Sequence, residues 1–129
     1  LKKDPKNTDA TVNMLGIMTS VNPERAYIKL QDMWASNARS PGIASQLGFT
    51  AAELGDYEGA VRYLGIASSM EPRNPNHYYN LGVISDRAGM VKQAIEFYQK
   101  SLEIDASTNA FRTVSRDVVY DRLATLRRL

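Results

Sequence analysis

An all-α chain built from repeated helix pairs is what this sequence predicts, and three observations carry the prediction. The stretch "LGFTAAELGDYEGA" from Leu47 returns 34 residues later as "LGVISDRAGMVKQA" from Leu81, with Leu, two Gly and Ala at identical spacing. Asn22-Pro23, Ser40-Pro41 and Asn74-Pro75 each set a good N-cap before a proline, whose missing N–H and fixed φ suit the first position of a helix. No segment shows the strict apolar–polar alternation of a half-buried strand.

Taken in order, these signals predict helices near 8–20, 23–38, 41–54, 57–70, 75–88 and 91–104. The 34-residue offset also pairs Pro41 with Pro75, Gly48 with Gly82, Gly55 with Gly89 and Ala60 with Ala94. Gly48 and Gly82 fall where two helices must approach closely. Gly55 and Gly89 fall where a first helix stops and turns, a place that favours the left-handed backbone open to glycine. Asp56 then caps the next helix. Carried back from Ala60, the offset lands on Ala26, so "ERAYIKLQDM" reads as the second helix of an earlier copy. At the other end, Ser115 can cap a closing helix over 115–129, in which Val119, Leu123, Leu126 and Leu129 make one apolar stripe.

Composition bounds what such an array can do. With 129 residues, 43% hydrophobic and 23% charged, the chain has the make-up of a soluble globular domain. No run approaches the roughly 18 apolar residues of a membrane span. A net charge of +2 is too small to imply a nucleic-acid partner. The absence of Cys excludes disulfides and thiolate metal sites, and it suits a cytoplasm and a periplasm equally. The chain does not begin with Met, so residues 1–6 are read as a linker from a longer protein and 7–129 as a single domain.

A helix–turn–helix unit of 34 residues is the period of the tetratricopeptide repeat. The chain resembles that family, with motifs at about 7–40, 41–74 and 75–108 followed by the closing helix. The family's aromatic, Leu-Gly, Ala and second aromatic are matched in the third motif by Tyr78, Leu81, Gly82, Ala94 and Tyr98, while Ser85 takes a Tyr position and Ala106 the Pro position. The second motif has Leu47, Gly48, Ala60, Leu64 and Pro72, with Ala44 and Ala51 in place of two aromatics. The first matches at Ala26 and Leu30, and its Leu15-Gly16 lies two residues out of register. The resemblance implies a right-handed superhelical solenoid of three repeats with a C-terminal capping helix. Its packing residues would include Ala60, Leu64, Ala67, Ala94, Tyr98 and Leu102 on second helices, facing Leu47, Gly48, Tyr78, Leu81 and Gly82.

The same resemblance implies a function without bond chemistry: first helices line a concave groove that receives a peptide or helix of a partner. Carried over by position, the groove would hold Thr11, Leu15, Met18 and Thr19. It would continue through Ser45, Gln46, Phe49, Ala52 and Glu53, then Tyr79, Asn80, Val83, Asp86 and Arg87. Phe49 and Tyr79 stand out, because other residues already fill the packing positions and large aromatics are common anchors. Asn80 occupies the place of an Asn used in the family's carboxylate clamps. The clamp's cations are missing, since Gly42 and Gln46 precede it and Arg112 and Arg116 lie two residues beyond the register. Arg112 and Arg116 remain candidates for contacting an acidic ligand.

Other features take structural readings. His77 is the single histidine and has no companions for a metal site. Trp34 is expected to pack against an N-terminal extension, and Met14 and Met18 read as adaptable core. There is no nucleophile elbow, phosphate loop or metal-spaced cluster, so no catalytic residue, metal or cofactor is assigned. The expectation is an adaptor or scaffold for a protein or peptide partner. The alternative is self-assembly, with one copy's groove receiving another copy to give a homo-oligomer.

Overall fold

Each proline placed behind a capping residue opens a helix. The structure is a computed structural model that describes residues 21–36, 39–108 and 115–129. In it, α1 runs Pro23–Ala35, α2 Pro41–Glu53, α3 Tyr57–Met70, α4 Pro75–Arg87, α5 Val91–Thr108 and α6 Arg116–Leu126. Every regular element among the described residues is a helix, and the architecture is an all-α helical repeat. Asn22 Oδ1 accepts from the Arg25 amide at 3.2 Å and Ser40 Oγ from the Ile43 amide at 3.1 Å. Asn74 and Ser115 cap α4 and α6 by bonds of 3.0 and 3.2 Å. Each satisfies a donor that helix geometry orphans. The helix expected over 8–20 lies outside the described residues.

Two ends differ from expectation. Helix α1 stops at Ala35 rather than residue 38, where the Ser36 hydroxyl turns back to donate to the Met33 carbonyl. Ser competes for the backbone in this way, which is why it favours helix ends. Helix α5 continues to Thr108, a turn past residue 104. Ala106 stands where the family has its Pro, so nothing breaks the helix, and the Ser107 and Thr108 hydroxyls return to the Ile104 carbonyl.

The two repeated turns are built alike. Gly55 and Gly89 take φ of 83° and 76°. The Gly55 amide donates to the Ala52 carbonyl and the Asp56 amide to the Ala51 carbonyl, and Gly89 and Met90 repeat this pattern onto Asp86 and Ser85. This is the Schellman arrangement, in which a left-handed residue lets the chain satisfy the last carbonyls. Asp56 Oδ1 then caps α3 through the Gly59 amide at 2.9 Å.

The chain divides into two compact units, one ending at Met70 and one beginning at Glu71. In the first, α1 packs on α2 and α2 on α3. Its core is Leu30, Ile43 and Leu47, with Tyr27, Met33, Trp34 and Tyr63 against them. Trp34 therefore packs within this unit, with the Arg39 guanidinium 5.4 Å from its ring centroid. Gly48 is the contact point of α2 with α3, because a Cβ there would lie 2.6 Å from Leu64 Cγ. In the second unit α4 packs on α5 and α5 on α6. A Cβ on Gly82 would lie 2.6 Å from the Tyr98 ring, so glycine lets α4 and α5 close to backbone distance. The core of this unit is Ala94, Tyr98, Val119, Leu123 and Leu126. Leu129 does not join the closing stripe: it lies past the end of α6 and is 82% exposed.

Candidate functional site

The candidate side chains sit on first helices, and each unit has its own set. On α2, Ile43, Leu47 and Ala51 go to the interior. Gln46, Phe49 and Glu53 recur three and four residues apart on another face of the helix. Gln46 and Phe49 are half-buried and Glu53 is exposed. Ser45 is half-buried beside them and Ala52 is buried. Thr11, Leu15, Met18, Thr19 and Arg112 lie outside the described residues.

On α4 the candidate face meets α6. Tyr79 and Val83 pack against the core cluster that holds Val119, Leu123 and Leu126. The Tyr79 ring lies 5.8 Å from that of Tyr98, tilted by 48°. Asp86 accepts two hydrogen bonds from Arg122, Nε to Oδ2 and Nη2 to Oδ1, both at 2.6 Å. The Tyr98 hydroxyl donates to the same Oδ2 at 3.1 Å. Planar guanidinium and carboxylate meet in the two-pronged geometry that makes such pairs strong. The Arg122 hydrogen bonds hold the Asp86 carboxyl below its ordinary range, outweighing its partial burial, and the Tyr98 bond adds to them. Burial pushes the Tyr98 phenol well above its ordinary value, with the Asp86 charge adding to the rise.

Tyr79, Val83 and Asp86 thus serve as the seat of the closing helix. Asn80 is half-buried and Arg87 exposed on the same element. Arg116, a candidate for an acidic ligand, is engaged within the chain. Its Nε bonds the buried Asp105 carboxylate and its Nη2 donates to the Asp105 carbonyl at 3.2 Å. Arg122 and Asp105 were not singled out by sequence spacing. Arg122 meets Asp86 across 36 residues, and no local pattern announces a pair that only the docking of α6 creates.

His77 is buried and bonds the Glu71 carboxylate at 2.7 Å and approaches Asn74 Nδ2 at 3.4 Å. It ties the start of α4 to the turn before it. Among the described residues there is no group of three or more metal-ligating side chains, and no helix is long and apolar enough to cross a membrane. A groove of about 410 Å³ runs between α5 and α6. Its walls include Leu102, Ala106, Tyr120, Leu123 and Arg127.

The comparisons with known proteins agree with this packing. The tetratricopeptide-repeat family model matches residues 77–108, which are α4, its turn and α5. The type IV pilus assembly protein PilF of Pseudomonas aeruginosa is 26% identical over 123 residues. That alignment takes in 93% of this chain and 49% of PilF, so the chain spans about half the length of its curated relative. Among solved structures, the type III secretion translocator chaperone SycD of Yersinia enterocolitica superposes with a TM-score of 0.80 at 14% identity, covering 98% of this chain and 87% of SycD. PcrH, solved in complex with the chaperone binding region of PopD, gives a TM-score of 0.76 at 14% identity over 98% of this chain and 96% of PcrH. With the Leu-Gly, Ala and aromatic stations of α4 and α5 in contact as that repeat requires, residues 77–108 form a tetratricopeptide repeat.

Proposed function

We propose that the chain is a protein-interaction module that holds a segment of a partner protein against exposed faces of its first helices. The face of α2 that carries Gln46, Phe49 and Glu53 would be the principal contact. Phe49 would be the anchor, since an aromatic side chain brings a large contact area with few torsions to freeze. On the second unit, Asn80 and Arg87 of α4 would form a separate contact of that unit, beside the residues that seat α6.

The observation that carries this reading is the fold's precedent. PcrH has this fold and is solved with a segment of another protein, the chaperone binding region of PopD. The chemistry on α2 suits the same task, with an aromatic surface flanked by an amide and a carboxylate on one helix face.

A photo-crosslinking amino acid at position 49, in the full chain within a native extract, tests it. The expected result is one dominant crosslinked protein, with the crosslink confined to one contiguous segment of it. Crosslinks scattered over many proteins, or none above those from a control position such as Lys92 on the outer face of α5, would reject the reading.

A further inference from the structure

We draw no further inference here: the strongest candidate, the groove between α5 and α6 lined by Leu102, Ala106, Tyr120 and Leu123, carries nothing, because nothing in the structure shows what covers it.

Discussion

Gly82 lies under the ring of Tyr98, and Gly65 has no described atom within 4 Å of the Cβ it lacks. The same substitution should therefore have opposite signs at the two positions. Gly65→Ala in the middle of α3 is expected to stabilise by about 0.5–1 kcal/mol, the ordinary gain of alanine over glycine in a helix. Gly82→Ala is expected to destabilise by ~1–3 kcal/mol, because the Tyr98 ring cannot yield without giving up its bond to Asp86. Denaturant unfolding of the two variants checks both. Tyr98 also sets a pH dependence. Its raised pKa means that the folded chain resists losing the proton, so this contribution to stability is complete below the ordinary value of 10.0 and is lost as pH rises above it. Asp86 acts at the other end: its depressed pKa gives stability that is present above the ordinary 3.8 and is lost as pH falls below it. Melting temperature against pH should be flat between these limits for the pair and fall outside them. Tyr98→Phe should weaken the alkaline fall.

Among the elements, α6 is where reading the sequence and seeing the structure diverge most. The repeated turns were legible because Gly55 and Gly89 answer a local backbone need that spacing reveals. The cap of α6 and its Val119–Leu123–Leu126 stripe were legible from helical period for the same reason. Where the stripe would land was not, since that depends on α5 running on to Thr108 and on a pair formed between Asp86 and Arg122. Tyr79 and Val83 carried groove positions by register, yet their partners lie across the unit, beyond any periodic signal. Two changes should separate the docking of α6 from the stability of the α4–α5 pair. Leu123→Ala, at a position 2% exposed, is expected to cost ~2–5 kcal/mol. Arg122→Ala is expected to speed amide exchange across 116–126 while 75–108 stays protected. Equal acceleration in both segments would mean that the ion pair does not act through α6.

For the molecule as a whole, repeat packing and partner contact make separate demands on the same helices. The interior stations of α2 and α4 hold Leu47, Gly48, Leu81 and Gly82, which serve the array. Gln46, Phe49 and Glu53 lie on another face of α2, with Gln46 and Phe49 half-buried and Glu53 exposed. Family position could mark candidate residues in the sequence; that Tyr79, Val83 and Asp86 of α4 are engaged with the packing of α6 is displayed only by the three-dimensional arrangement. The most direct test is a titration of the labelled partner segment identified by crosslinking into the wild-type chain and into Phe49→Ala, with melting temperatures measured in parallel. Weakening of affinity by roughly tenfold or more in Phe49→Ala at unchanged melting temperature is the result expected of an anchor on a binding face. Equal affinity for the two chains would contradict the assignment of α2 as the partner's seat.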